Sequence, residues 1–270
     1  MTIKRLSLAL EWAQRVPALT ALLLGAISVL AYAPLQLFPL MPLTLAGLFA
    51  LWREASPRQA ALCGFAFGLG AFGMGVSWIY VSLHTYGEMP AVFAALSTFL
   101  FCAYLALYPA LAGFVAARFR SGHALIDLPL FAAAWVLGEW LRGVVLTGFP
   151  WLAVGYSQSP PSPLAGFAPI FGVYGVGFVT ALLAGLIVFL AARHWKWLAA
   201  SVAGVAVVGW GLLGIRWTTP LPQEISISLM QTNIEQSLKW RPDFLPQLLE
   251  DNHRITAMSP ANSAVTNPTP

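Results

Sequence analysis

The sequence predicts a polytopic α-helical membrane protein of about seven transmembrane helices, followed by the first strand and helix of an incomplete α/β domain. Charged residues make up only 9% of the 270 residues and hydrophobic residues make up 59%, whereas soluble domains carry about 25% charged residues. The apolar residues form long runs, and basic residues collect in every second gap between them. These observations favour a chain that crosses a bilayer several times.

The positions of the basic residues predict orientation as well as span number. They include Lys4, Arg5 and Arg15 before the first run, Arg53 and Arg58 after the second, Arg118 and Arg120 after the fourth, and Arg193 and Lys196 after the sixth. Because cytoplasmic loops are enriched in Lys and Arg, the N-terminus is expected in the cytoplasm and the tail outside. The net charge of +4 is spread over these loops, so nucleic-acid binding is not expected.

Seven runs are long enough to cross a bilayer, since a span needs roughly 20 mostly apolar residues. They cover about 16–33, 35–52, 59–83, 90–117, 125–146, 164–192 and 197–216. The first run also has the features of a secretory signal peptide, with a possible cleavage site at 31–33. Pro34 follows directly and should hinder cleavage, so we expect an uncleaved first span.

The segment 147–163 is predicted to lie at the membrane face without forming a spanning helix. Pro150 and the proline-rich run 160–163 interrupt it, and proline in a helix interior costs about 3 kcal/mol. The segment is nevertheless rich in Trp, Tyr and Leu. It should therefore either line a pocket or form an interfacial loop anchored by aromatic residues.

Two charged residues on the fifth predicted helix are candidate site residues. Glu139 and Arg142 are three positions apart and can meet on one helix face, and charges at membrane depth often mark function. The alternative is a pair at the helix end, in the interface. A second polar gap contains His84, Tyr86 and Glu88, which we interpret as loop residues.

Small residues near the third run are expected to let helices approach closely. They are Gly64, Gly68, Gly70, Gly73 and Gly75. Cys63 and Cys102 fall inside predicted spans without the spacing of a metal or redox motif, so we expect small buried hydrophobic residues. Neither a metal nor a cofactor is expected.

The composition changes after Arg216. Alternating apolar and polar residues at 225–229 predict a half-buried strand, and apolar spacing predicts a short amphipathic helix within 242–257. One strand and one helix cannot form a core, so residues 218–258 are expected to be the start of a larger domain that follows a membrane domain at 1–217. Residues 259–270 are polar and proline-rich, which predicts disorder.

A series of short motifs runs through the chain in order. They are 75–82 with His84 and Tyr86, then 139–143, 146–151, 155–158, 168–170, 172–175, 231–234 and 236–240. Together they resemble the apolipoprotein N-acyltransferase family of the bacterial inner membrane, and the resemblance extends from about residue 20 to 258.

The resemblance implies an enzyme that moves an acyl chain from a phospholipid to the N-terminal lipidated cysteine of apolipoproteins, in the last step of lipoprotein maturation. It implies a periplasmic nitrilase-like (CN hydrolase) domain, of which 218–258 would be the start. The implied partners are a phospholipid donor, an apolipoprotein acceptor and membrane lipids, with no nucleic acid and a monomeric state.

The family's catalytic Glu, Lys and Cys have no counterpart that the resemblance carries onto these residues. The Trp-Pro-Glu motif expected after Trp240 is absent, and Asp243, Glu250 and Asp251 fall on the helix before that point. The resemblance does carry over Trp240 as a residue near the active site, and Gly148 and Trp151 as pocket residues beside Glu139 and Arg142. The expectation is a truncated chain that is inactive alone.

Two other functions compete with this interpretation. A non-catalytic lipid-binding fragment would keep the family's acyl groove. A transporter would carry ionisable residues deep in several spans and often an internal repeat, and the sequence has neither feature beyond Glu139 and Arg142.

Overall fold

The computed structural model describes residues 15–190, 194–220, 229, 231, 233–235, 237–239 and 241–257. Within these residues the chain is helical and contains no β-strand, which confirms the predicted helical class. The strand predicted at 225–229 lies outside the described residues except for Leu229, so it stays a prediction. The chain divides into two compact units, Met1–Trp217 and Thr218–Pro270.

Eight α-helices of more than one turn occur in the described part of the chain. They are α1 (Pro17–Ser28), α2 (Leu40–Glu54), α3 (Pro57–Gly75), α4 (Ala91–Phe119), α5 (Ala124–Val144), α6 (Ala168–Leu190), α7 (Trp195–Leu213) and α8 (Leu245–Ala257). Shorter helical segments are Val29–Ala31, Trp78–Val81, Ser82–Tyr86, Val145–Thr147, Val154–Gln158 and Pro163–Phe167.

Four described helices are long and apolar enough to span a membrane. They are α4, α5 extended to Thr147, α6 with the preceding turn from Pro163, and α7. Helix α3 and the segment Trp78–Tyr86 would make a fifth span, bent by 50° at the break between them. The chain is therefore a helical membrane protein with four or five span candidates among its described residues.

The first two predicted spans are shorter in the structure than hydropathy indicates. The first forms an apolar helix over Pro17–Ala31, and α2 begins only at Leu40 because residues 33–39 form turns. At 1.5 Å per residue, the 15 residues of α2 reach about 22 Å, less than the roughly 30 Å hydrocarbon core. Hydropathy counts the residues of this proline-containing turn as apolar, although they cannot continue a helix.

Helix α3 lies at the centre of the bundle, where glycines let it touch its neighbours. A Cβ on Gly64 or Gly68 would clash with α4, at 2.2 Å from the Pro109 carbonyl oxygen and 2.7 Å from the Ala106 Cα. A Cβ on Gly70 would lie 2.0 Å from the Leu22 carbonyl oxygen of α1. These positions confirm the predicted close packing.

The last two glycines of the predicted set behave differently. Gly73 faces open space, so its prediction as a helix-packing residue is wrong. Gly75 approaches the side chain of Leu152 instead of another helix. The prediction for the cysteines is confirmed, because Cys63 and Cys102 are buried free thiols.

The second unit contains α8, which confirms the helix predicted within 242–257. Just before it, the Arg241 guanidinium donates from Nε to Asp243 Oδ1 at 3.1 Å and from Nη2 to Oδ2 at 2.5 Å. These hydrogen bonds hold the pKa of the Asp243 carboxyl below its usual value. The assignment of this unit to a nitrilase-like domain stays a prediction.

Candidate functional site

The segment between α5 and α6 folds back onto the bundle. It leaves α5 through three residues with positive φ, namely Leu146 (52°), Thr147 (72°) and Gly148 (79°). Only glycine fits at the third position, because a Cβ there would lie 1.9 Å from the Gly143 carbonyl oxygen. Gly148 therefore shapes the turn that redirects the chain, and a side chain at this position could not be accommodated.

Arg142 fixes the backbone that follows this turn. It is only 3% exposed, and its Nη1 donates to the carbonyl oxygens of Phe149 at 2.6 Å and Trp151 at 2.5 Å. The guanidinium also lies over the Phe72 ring, 5.2 Å from the ring centre. The hydrogen-bond partner of Arg142 is therefore loop backbone and not the Glu139 that helix spacing predicts, and the charge on the guanidinium strengthens both hydrogen bonds.

Glu139 binds the same loop further along the chain, at Val154. Its carboxylate is 5% exposed, and Oε1 accepts a hydrogen bond from the Val154 amide at 2.8 Å. Oε2 is buried beside the indole N–H of Trp135, one helical turn away, and among the described residues neither atom makes a hydrogen bond of regular geometry. Glu139 and Arg142 face one chamber, but within the described ranges no ion pair joins them.

Tyr32 provides a third attachment for the loop. Its hydroxyl donates to the Leu152 carbonyl oxygen at 2.7 Å, across 120 positions of sequence. Gln158 adds a fourth, through its amide to the Phe38 carbonyl at 3.2 Å. Side chains from α5 and from the α1–α2 turn thus hold the loop in a defined shape without a regular helix.

The outer surface of this loop lines an apolar groove of about 630 Å³. The groove is lined by Val29, Tyr32, Ala33, Gly75, Trp78, Pro150, Trp151, Leu152, Tyr156 and Ser159. Trp78 and Trp151 are 45% and 51% exposed, and their ring centres lie 5.7 Å apart. Of the two predictions for 147–163, the structure supports the pocket.

The structure gives the sequence-predicted site residues different roles. Trp151 lines the groove, Glu139 and Arg142 bind the backbone of the loop that forms its wall, and Gly148 lies in the turn that leads into this loop. Trp240 lies outside the described residues, so its role stays a prediction. The interpretation of His84 as a loop residue is wrong, because it lies in the helical segment Ser82–Tyr86, where it is exposed and its Nδ1 is hydrogen-bonded to the Met89 carbonyl at 2.8 Å.

Sequence reasoning missed two residues of this site, Tyr32 and Leu152. Tyr32 could have been noticed as a polar-tipped residue at the end of an apolar run. Leu152 has no local signal, because its positive φ of 58° and its contacts depend on where distant helices place the loop.

Comparison with known proteins identifies the family. Residues 24–186 match the family described as the apolipoprotein N-acyltransferase N-terminal domain, and they include every described groove residue. The chain belongs to the apolipoprotein N-acyltransferase family. An apolipoprotein N-acyltransferase of Nitrosomonas europaea is 46% identical over 92% of this chain and 50% of its own length.

Other relatives of the same name agree with this assignment. One from Ralstonia nicotianae is 45% identical over 93% of this chain and 49% of its own length. One from Vibrio cholerae is 41% identical over 83% of this chain and 45% of its own length. The chain spans about half the length of the curated relatives it matches.

Proposed function

We propose that this chain forms the membrane domain of an apolipoprotein N-acyltransferase and that its groove holds the acyl chain of the phospholipid donor. The carrying observation is the apolar groove of about 630 Å³ between Trp78 and Trp151. Its volume falls in the range of small-molecule sites. Indole rings combine apolar area with a polar N–H and are enriched at the membrane–water interface.

The loop anchors support this role through preorganisation. A groove whose wall is irregular backbone keeps its shape in a bilayer only if its polar groups are bonded within the protein. Arg142, Glu139 and Tyr32 bind the backbone at residues 149–154. We therefore assign Glu139 and Arg142 as positioning residues, and Trp151 as a residue that contacts the acyl chain.

The proposed topology has seven spans in the bacterial inner membrane, with a cytoplasmic N-terminus and a periplasmic tail after residue 217. One contact supports it. Arg120 Nη1 donates to the carbonyls of Trp52, Arg53 and Ala55 at 3.0, 2.6 and 3.2 Å. The two basic gaps after α2 and α4 therefore lie together at one end of the bundle, as the positive-inside rule requires.

The proposal extends to the whole protein's reaction. Phospholipid would be the acyl donor, an apolipoprotein the acceptor, and the working unit a monomer. Residues 218–258 would open the nitrilase-like domain, and Trp240 would lie near its active site. Because the family's catalytic Glu, Lys and Cys have no counterpart carried onto these 270 residues, we expect the 270-residue polypeptide alone to transfer no acyl chain.

A photo-crosslinking experiment tests the groove. The chain is placed in nanodiscs with a phospholipid that carries a diazirine on its acyl chain, and adducts are mapped by mass spectrometry. We expect adducts concentrated in 150–159 and near Trp78, falling severalfold in Trp151→Ala. The matched control is Trp210→Ala, which removes an exposed Trp of α7 outside the groove. Labelling of the groove no stronger than labelling of α7 would contradict the proposal.

A chimera tests the reaction. Residues 15–220 replace the matching half of the Nitrosomonas europaea relative, and the product is expressed in a conditional strain depleted of its own N-acyltransferase. We expect lipoprotein N-acylation to return with the chimera but not with residues 1–270. Acylation by the 270-residue chain would overturn the expectation that it is inactive alone.

A further inference from the structure

Two cavities meet at the loop that carries Trp151. The first is the groove of about 630 Å³. The second is an inner chamber of about 30 Å³, whose walls include Phe67, Phe72, Glu139 and Arg142. Tyr32 and Leu152 line both cavities. These two residues therefore form the partition between groove and chamber.

Leu152 is held firmly in this partition. Its carbonyl accepts the Tyr32 hydroxyl, and its side chain packs against the buried cluster of Phe72, Val76, Cys102 and Leu105. Its Cδ1 lies 2.5 Å from where a Cβ on Gly75 would be, so the glycine leaves the space that the leucine fills. Its φ of 58° is unfavourable for leucine, and the surrounding contacts must maintain it.

We propose that Leu152 closes the inner end of the groove and so sets the length of acyl chain that the groove accepts. This inference rests on the proposed function, since it assumes that the groove holds an acyl chain. A chain that enters past Trp78 and Trp151 meets the branched end of Leu152. Beyond it lies a chamber with a buried carboxylate and guanidinium, which an alkyl chain cannot solvate.

Changing the size of this side chain should change the length limit. In Leu152→Ala the branched end is gone, and the groove gains depth for about two more methylene groups. In Gly75→Ala the new Cβ displaces Leu152, and because the backbone of residue 152 is fixed by Tyr32, the side chain moves toward the groove. The two substitutions should shift the limit in opposite directions.

The experiment measures binding of monoacyl phospholipids as a function of chain length. A series from about 12 to about 20 carbons competes with a fluorescent phospholipid for the purified chain. For the unaltered protein, affinity should rise about fourfold for each added methylene and then stop rising. In Leu152→Ala the rise should continue for about two further methylenes, so the longer chains bind on the order of tenfold more tightly.

Two further variants keep the test decisive. Leu137→Ala is the matched control, because Leu137 is a half-exposed leucine of α5 that lines neither cavity, and its length limit should equal that of the unaltered protein. If thermal unfolding shows that Leu152→Ala is not folded, Gly75→Ala serves as the test, and we expect it to bind only shorter acyl chains than the unaltered protein. The same limit in all folded variants would overturn the inference. No dependence on chain length even in the unaltered protein would instead count against the proposed function.

Discussion

Helix α5 carries a buried carboxylate near each end, and the two carboxylates differ in their hydrogen bonding. Asp127, near its start, is 3% exposed and accepts hydrogen bonds from the Ser121 amide, the Ser121 hydroxyl and the Gly122 amide at 2.7–3.0 Å. Glu139, near its end, is 5% exposed; one of its oxygens accepts from the Val154 amide, and the other lies beside the Trp135 indole N–H without a hydrogen bond of regular geometry in the described chain.

The arginines near the two ends of α5 repeat the contrast. Arg120 binds three carbonyls at the carboxyl end of α2, which closes that end of the bundle. Arg142 binds two carbonyls of an irregular loop that lines a groove. At the first end both oxygens of Asp127 accept hydrogen bonds, and a cavity of about 290 Å³ near the end of α2 is lined by neither Asp127 nor Arg120. At the second end one oxygen of the Glu139 carboxylate accepts no hydrogen bond of regular geometry among the described residues, beside the inner chamber that Glu139 and Arg142 line, and incomplete hydrogen bonding of this kind is more typical of a functional site than of a structural one.

Among the three substitutions proposed here, loss of Arg142 should lower the unfolding free energy the most. In Arg142→Ala two part-buried carbonyls lose their donor and the buried Glu139 carboxylate loses the nearby positive charge, so we expect a loss of about 3–5 kcal/mol in unfolding free energy. Thermal and denaturant unfolding in detergent would measure it. Arg118→Ala, which removes an exposed arginine of α4, should change stability by less than about 0.5 kcal/mol. Equal changes in unfolding free energy for the two substitutions would show that Arg142 contributes no more to stability than an exposed arginine.

Substitution of Asp127 should have an intermediate effect that leaves lipid binding intact. In Asp127→Asn one of the carboxylate oxygens becomes an NH₂ group and faces an N–H donor, so we expect a loss of about 2–3 kcal/mol. The groove is formed at the other end of α5, so acyl-chain binding by the folded fraction should not change. Glu54→Gln, at an exposed site, serves as the control. Weaker acyl-chain binding by folded Asp127→Asn would show that the two ends of α5 are coupled.

Substitution of Glu139 should have the smallest effect on stability. In Glu139→Gln the amide oxygen can still accept from Val154, and the new NH₂ replaces an oxygen whose interaction with the Trp135 indole lacks regular hydrogen-bond geometry. We expect a change of about 1 kcal/mol or less, measured in the same unfolding assay as Asp127→Asn. A cost for Glu139→Gln above that for Asp127→Asn would reverse the comparison and indicate that the unbonded oxygen has a strong partner.

The sequence predicts the regular parts of this fold well. The span predicted at 90–117 is α4 at Ala91–Phe119, because a long uninterrupted apolar run follows Pro90, which marks its start. The interruption at 147–163 is also predictable, since proline excludes a helix there. The first two predicted runs are longer than the helices they contain, because hydropathy counts the turn residues 33–39 as apolar although they are not helical.

The site is predictable in its residues but not in its contacts. Spacing on a helix face places Glu139 and Arg142 together, yet both bind loop backbone instead of each other. That outcome depends on the path of residues 148–154, which is fixed by contacts with distant parts of the chain, from Tyr32 to Leu152 and from Phe38 to Gln158. Leu152 acquires its role only through this path, so no local pattern could indicate it.

The glycine contacts of α3 also imply an order of assembly during synthesis. Helix α3 touches α1 and α4 at backbone distance, so these helices can dock as soon as α4 has left the ribosome. The wall of the groove at Gly75 and Trp78 can therefore form before residues 150–159 have left the ribosome. The other wall closes onto it later, when α5 brings Glu139 and Arg142 to their positions. A ribosome-bound chain from which α4 has emerged while later residues are still inside the ribosome should thus already hold one wall of the groove, open to the bilayer on its unfinished side.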